Sequence, residues 1–494
     1  GDEFVEGFTR LCAGKPKVGP LTLYQALVGE PCNDYINGTE ANTSVGPTLR
    51  LKGVTKKNLV TEIEGGYKVN EVFLQEVNEL EAILSRGEVP RVVAKATLKD
   101  ELYPAADVDG KNKARFFYVT DKSFNTVLKR YMGPINALLA DEGTAMGFFM
   151  ALNPGSPQWA ALKHRQESIG KESIWELDQE AFDLRHTVMT KRFANRMMRC
   201  ARALGYSQVD VHKVGLLAHS CFHYYLIMES VVYSCSSCLL SGLFITMLFN
   251  IWAQYEGLAY SYFRSGGQRG KFAQDVILTG TGDDNLTSNS VLCPMRLPKM
   301  VLAMRELGYV VTSAHKGEEL RNIVMEEATF LKRGFRNVSY GDFSFTAAPL
   351  NRDSIFKGIC YRVGNPKTPE EEAEIDRVNL CVAARELFMH GRDDYDQFIR
   401  MGLACGLRMD VPSIEELCDE YRSNMFSSWS GARRVTVESL SGGSSQGPSE
   451  VRSVVFHCQG VIGADPLQGS VGAGSSLNLS PWRVMLQSWK LRKL

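Results

Sequence analysis

The sequence predicts an α+β fold, with strands and helices mixed as far as about Phe426 and a tail of different character beyond. Three observations carry this expectation. The β-rich run Val276-Ile277-Leu278-Thr279-Gly280-Thr281 enters Gly282-Asp283-Asp284 and Asn285-Leu286-Thr287 leaves it, the pattern of two strands joined by a tight turn. Pro298 to Leu307 has the periodicity of an amphipathic helix stopped at Gly308, and Tyr309-Val310-Val311-Thr312 follows as a strand. The segment from Ser439 to Ser449 is Gly/Ser-rich, and Val471 to Ser476 repeats that composition, so the tail is expected to be weakly structured.

A chain of 494 residues, 44% apolar and 23% charged, has enough material for a deep core and several subdomains and is not fibrous. Its formal charge is zero, so attraction to phosphate depends on where the basic groups sit. Between Arg91 and Arg130 they are dense (Arg91, Lys95, Lys99, Lys111, Lys113, Arg115, Lys122, Lys129, Arg130) and interleaved with Phe116, Phe117 and Tyr118, a composition that suits a phosphate-lined channel. The twelve cysteines form no regular framework and read as reduced thiols; Cys235-Ser236-Ser237-Cys238, with Cys221 and His223 nearby, lacks the second half of a zinc site.

Leu239 to Ala253 is strongly apolar but too short for a membrane span, and Ser241, Thr246 and Asn250 interrupt it, so a buried helix is expected and no transmembrane segment. No signal peptide precedes Gly1, and Lys99-Asp100-Glu101-Leu102 is internal and cannot act as a retention signal. A first residue other than methionine points to cleavage from a longer precursor or to an added tag.

The chemistry-bearing residues come from distant segments. In Trp175-Glu176-Leu177-Asp178-Gln179-Glu180-Ala181-Phe182-Asp183, a strand should end near Asp178 and a turn or helix start should carry Asp183. Gly282-Asp283-Asp284 alone is also an ordinary hairpin turn. Paired with the upstream aspartates, it becomes what a two-metal phosphoryl-transfer site needs, because one carboxylate cannot hold and space two Mg²⁺ ions. A nucleotide polymerase is therefore the leading expectation. Ser241-Gly242 precedes a helix on which Thr246 and Asn250, four residues apart, share a face. Asp183, Ser241 and Asn250 can then bond a ribose 2′-hydroxyl, Thr246 is expected to contact the nucleotide with them, and Gly242 can let the loop flex. Lys316, just past the strand, is positioned to protonate a pyrophosphate leaving group. Thr329-Phe330-Leu331-Lys332-Arg333 alternates apolar and basic residues like a half-buried strand whose basic end holds a nucleic-acid backbone.

The order of these elements resembles the viral RNA-dependent RNA polymerases, most of all those of picornaviruses and their relatives. Asp178 and Asp183 match motif A; Ser241, Gly242, Thr246 and Asn250 match motif B; Gly282, Asp283 and Asp284 match motif C. Thr312-Ser313-Ala314-His315-Lys316 is similar to motif D, and Phe330-Leu331-Lys332-Arg333 to motif E. Lys99-Asp100-Glu101-Leu102 and Lys113-Ala114-Arg115 are similar to motif F, which contacts the nucleotide triphosphate, and Thr43-Ser44-Val45-Gly46-Pro47 to motif G, which guides the template. Two features depart from the pattern: Thr281 stands where tyrosine commonly precedes the glycine, and the stretch before Thr43 is short.

The resemblance implies a right hand of fingers, palm and thumb with an antiparallel-sheet palm. Fingers are expected at 1–165, palm at 166–346 with an interleaved fingers segment at about 190–235, thumb at 347–426, and the tail at 427–494. It implies metal binding by Asp178, Asp283 and Asp284, with Mg²⁺ or Mn²⁺ as cofactor. Its implied partners are an RNA template and primer, ribonucleoside triphosphates, a protein primer of the kind used by picornavirus relatives, and other replication proteins. Its implied location is the host cytoplasm, at membrane-associated replication complexes or packaged in the virion. In that family a free amino-terminal glycine tunes activity, a part open to Gly1. Gln446-Gly447, Gln459-Gly460 and Gln468-Gly469 match the cleavage preference of the family's cysteine protease. A reverse transcriptase, an inactive RNA-binding scaffold of the same fold, and a double-stranded RNA virus polymerase are the alternatives.

Overall fold

The computed structural model describes residues 2–39, 43–63, 66–99, 115–315, 317–360, 366 and 368–426. Gly1, the Asp100–Ala114 segment with Lys113, Lys316, and the tail with its Gln-Gly dipeptides lie outside the described residues. The chain divides into two compact units: Gly1–Ala151 with Ile169–Asn322, and the described residues of Leu152–Ser168 with Ile323–Leu494. This divide differs from the expected boundaries, because 152–168 and 323–346 fold with the 347–426 region instead of with the segments they adjoin in sequence.

The strands of the first unit are, in chain order, Val60–Ile63 (β1), Gly66–Val69 (β2), Val92–Leu98 (β3), Phe116–Thr120 (β4), Ile174–Gln179 (β5), His223–Met228 (β6), Val231–Ser236 (β7), Val276–Thr281 (β8), Asp284–Asn289 (β9) and Val311–Ser313 (β10). β1 and β2 pair alone. β3 alternates, with Val92, Ala94 and Ala96 buried and Lys95 exposed, as a strand with one covered face must. It joins a sheet of order β4-β3-β6-β7 in which β6 runs parallel to it and the other pairs are antiparallel. The 223–236 hairpin is thus built into the sheet of the amino-terminal region.

The second sheet, of order β10-β5-β9-β8, is antiparallel throughout. The helix Thr246–Arg264 packs on β8 and is buried almost all round, from Leu248 through Tyr262. It starts later than the apolar run that predicts it: 239–240 is irregular and 241–245 is turn, although Leu239, Leu240, Leu243 and Ile245 are all buried. The helix Met189–Leu204 buries Phe193, Met197, Cys200, Ala201 and Leu204, one face at helical spacing. The helix expected from Pro298 spans Leu297–Glu306, and the strand after it is β10. Among the described residues no helix is long and apolar enough to cross a membrane.

In the second unit Arg336–Tyr340 (β11) and Phe343–Ala347 (β12) form a hairpin. Val338, Tyr340, Phe345 and Ala347 share one core with Ile355, Phe356, Leu387, Phe388, Phe398 and Tyr421 from the helices that follow, which is why 323–346 belongs with them. Trp159 stacks on Phe335 at 4.7 Å and donates its indole N–H to the Gly334 carbonyl at 3.0 Å, anchoring the 152–168 segment there.

Candidate active site

Strand register brings the carboxylates together. Leu177 pairs with Asn285 across β5 and β9, and Asp178 and Asp284 are the next residues on these neighbouring strands, so both leave the ladder at the same end of the sheet. Thr281 pairs with Asp284, leaving Gly282 and Asp283 as a two-residue turn. Gly282 takes a φ of +64° and Asp283 does not enter the left-handed region, the pattern of a II′-type hairpin turn with glycine at its first central position. Asp283 and Asp284 are exposed at this tip, and Asp178 is half-buried, one carboxylate oxygen accepting the Gln179 N–H at 2.8 Å.

Two residues that sequence reasoning missed hold this turn. Gln254 is buried on the Thr246–Arg264 helix, and its amide nitrogen donates to the carbonyls of Gly282 and Asp283, both at 3.0 Å. Its signal was available, since 246, 250 and 254 continue a four-residue spacing. Asn285, buried beside the tip, donates to the Leu177 carbonyl at 3.1 Å and ties β9 to β5.

Asp183 sits on a single 3₁₀ turn, Phe182–Leu184, entered through Ala181 at φ +50°. Its carbonyl accepts the Leu239 N–H at 2.8 Å, so this turn and the loop before the 246–264 helix are stitched together. Burial raises the Asp183 carboxyl above the usual range, and the Asp283 charge raises it further while Arg115 opposes them. The three groups therefore feel one another although they lie far apart in sequence. Asn250 is buried and its side-chain oxygen has no protein partner, whereas Ser241 is exposed.

Thr246 requires a correction to the expected nucleotide contact: its hydroxyl bonds the carbonyls of Leu240 at 2.9 Å and Leu243 at 2.9 Å, closing the loop that presents Ser241. Gly242 also has a different reason to be glycine. A Cβ there would lie 2.1 Å from the Tyr118 carbonyl oxygen, so close approach, not flexibility, excludes a side chain. Asn125 braces the same loop, donating to the Gly242 carbonyl at 3.1 Å and accepting the Phe244 N–H at 2.9 Å.

Lys99 and Arg115 are exposed at the ends of β3 and β4, joined by a backbone bond at 2.9 Å. The basic run does not act as one channel wall. Lys129 is buried and donates to the Ala26 carbonyl at 2.9 Å, and Arg130 pairs with Glu81, because the helix Lys122–Glu142 that carries them is a core element. Near the amino terminus Thr43 is half-buried and Ser44 exposed, but Gly46 is buried, at φ +101°, where a Cβ would lie 2.4 Å from the Asp121 Cα. Asp121 caps the helix Pro47–Leu51 by accepting the Thr48 N–H at 2.9 Å. Gly46 therefore serves packing and offers no side chain to a template.

In the second unit, Thr329–Arg333 is not a strand. Phe330 and Arg333 exchange both backbone bonds, at 2.8 and 3.0 Å, around Leu331 and Lys332 at φ +55° and +61°, a tight I′-type turn. Lys332 is exposed, but Arg333 is buried in a bidentate pair with Glu386, both contacts 2.7 Å, and also donates to the Ala348 carbonyl. The expected RNA contact by Arg333 is thereby corrected to a structural role.

An antiparallel sheet ending in juxtaposed aspartates, backed by a buried helix and accompanied by a mixed sheet, is the right-hand polymerase architecture. The match to solved structures agrees: a Sicinivirus 3Dpol RNA-dependent RNA polymerase superposes with a TM-score of 0.67 over 85% of this chain and 84% of its own, at 18% identity. Residues 11–405 match the family model described as viral RNA-dependent RNA polymerase, and the chain belongs to that family and is an enzyme of that class. It is 23% identical over 74% of its length to the RNA1 polyprotein of Tomato torrado virus and 27% identical over 66% to that of Broad bean wilt virus 1. It spans 18% of each of those polyproteins.

Proposed function

We propose that this chain extends an RNA primer on an RNA template by two-metal nucleotidyl transfer. The primer 3′-hydroxyl attacks the α-phosphorus of a ribonucleoside triphosphate in line, loses its proton, and pyrophosphate leaves. The observation that supports this reading is the β5–β9 register, whose last pair, Leu177 with Asn285, leaves Asp178 and Asp284 at one end of the sheet, where the Gly282–Asp283 turn lies. Hard carboxylate oxygens suit Mg²⁺, and Mn²⁺ equally; Asp178 and Asp283 would hold two ions and Asp284 assist. Bound there, such ions neutralise phosphate charge and activate the attacking oxygen. Among the described residues no group of three or more His, Cys, Asp or Glu converges as a ready metal cage. Mg²⁺ does not require one, since it binds through one or two carboxylates, water and substrate phosphates.

Asp183, Ser241 and Asn250 would read the ribose 2′-hydroxyl, a role supported by the unpartnered buried Asn250 oxygen and by the shared electrostatics of Asp183 and Asp283. Lys99, Lys113 and Arg115 would meet the triphosphate, Lys316 would protonate the leaving pyrophosphate, and Ser44, Thr43 and Lys332 would contact RNA. Synthesis would serve genome replication in the host cytoplasm, at membrane-associated complexes or after packaging in the virion, with a protein primer and other replication proteins as partners. Primer extension tests the core of this: Asp178→Ala and Asp283→Ala should abolish Mg²⁺-dependent extension with RNA affinity retained. Extension at the unsubstituted rate by Asp283→Ala would refute it, and preference for deoxyribonucleotides would favour a reverse transcriptase.

A further inference from the structure

Directly behind the sugar-facing turn lies a polar pair that the transfer chemistry does not use. His186, fully buried, follows Asp183 by three residues and sits among aromatic rings: Phe182 at 4.8 Å and Phe249 at 4.6 Å, both edge-on, with Tyr309 and Phe222 further out. Its Nδ1 lies 3.0 Å from the Tyr309 hydroxyl, also buried, and its Nε2 has no partner. Tyr309 comes from the segment leading into β10, and the Glu180 N–H bonds the next carbonyl, Val310, at 3.0 Å. The turn between these two attachments is not one its own residues prefer, since Ala181 holds a left-handed φ that costs about 1–2 kcal/mol without glycine. Tertiary contacts must therefore impose it. The Leu239 bond holds its far side, and the His186–Tyr309 bond holds its near side against β10.

We infer that His186 and Tyr309 are positioning residues that lock the Asp183 turn, and that their hydrogen bond sets how strictly this enzyme separates ribose from deoxyribose. The inference rests on the sugar-reading role proposed for Asp183. The imidazole is a better tie than an apolar side chain because it is directional: rings alone fill the cage but do not choose one rotation of the turn. Burial keeps the ring neutral, its pKa pushed down to about 3, so the Tyr309 hydroxyl can donate to Nδ1 across the whole working range of pH.

Single-nucleotide incorporation of ribo- and deoxyribonucleotides by the full chain tests this, alongside thermal midpoints and RNA affinity. Tyr309→Phe removes only the hydroxyl and should lower the ribo-over-deoxy ratio about tenfold, the scale on which one buried hydrogen bond holds a local conformation. His186→Phe with Tyr309→Phe replaces both polar partners by rings, so its thermal midpoint should return toward that of the unsubstituted protein while discrimination stays low. Asp183→Asn is the reference. Loss of discrimination in Asp183→Asn, with an unaltered ratio in both Tyr309→Phe and the double variant, would overturn the lock alone. An unaltered ratio in Asp183→Asn would overturn the sugar-reading role and the lock with it.

Discussion

Gln254 offers the sharpest test of how the fold holds the reacting end of the sheet. Replacing it by leucine keeps the buried volume and deletes two donated bonds, to the Gly282 and Asp283 carbonyls at 3.0 Å each. At a net 0.5–1.5 kcal/mol per bond the limit is about 1–3 kcal/mol. Because the turn is partly exposed, water can replace the amide, and the stability loss should fall near about 1 kcal/mol. The effect on rate should be larger. The Asp283 backbone then loses its fixed position, and a displacement of about 1 Å at a reacting centre costs on the order of a hundredfold. Pre-steady-state primer extension across a Mg²⁺ titration should show the maximal rate down about 10- to 100-fold with RNA affinity unchanged. Gln254→Glu should be at least as impaired, because a carboxylate donates no N–H and adds negative charge beside Asp283. An undiminished rate in Gln254→Leu, with the fold intact, would refute the claim that this amide positions the turn.

Other consequences are equally direct. Gly242→Ala should impair extension and lower the thermal midpoint, because its Cβ meets the Tyr118 backbone oxygen at 2.1 Å and only a backbone shift relieves the clash; a variant that crystallises with the loop unmoved would contradict this. Arg333→Ala should destabilise the protein by about 3–5 kcal/mol by stranding Glu386, while the salt dependence of RNA binding stays the same, since the guanidinium is buried in that pair and does not reach phosphate. His186 makes stability depend on pH in one direction. Its folded pKa lies below the unfolded value of 6.5, so the unfolded chain binds more protons between 6.5 and about 3. Its contribution is complete above pH 6.5 and is lost as pH falls through that window, by about 1.4 kcal/mol per unit; denaturant titrations of His186→Phe should show a shallower acid slope.

Much of the candidate site is legible in the residues because its signals are local. Gly282-Asp283-Asp284 between β-rich flanks reads as a hairpin turn, and the strand expected to end near Asp178 ends one residue later, at Gln179. Thr246 and Asn250 are recognisable by helical spacing, and the same spacing extended by one step reaches Gln254. The misreadings have a common origin. Alternation over Thr329–Arg333 is too short to separate a strand from a turn, and it says nothing of Glu386, fifty-three residues away, which pulls Arg333 inside. The basic stretch to Arg130 looks uniform in sequence, yet its last members lie on a core helix.

What the chain determines by itself is which residue types can do the chemistry and which short elements carry them, since periodicity and turn preference act over a few bonds. Only the tertiary structure decides that Asp178 and Asp284 share one end of the sheet, that Arg333 serves Glu386, and that His186 meets Tyr309. Those outcomes depend on strand register and on burial between segments more than a hundred residues apart, or fifty-three in the case of Arg333, where a one-residue slip would turn every side chain to the opposite face.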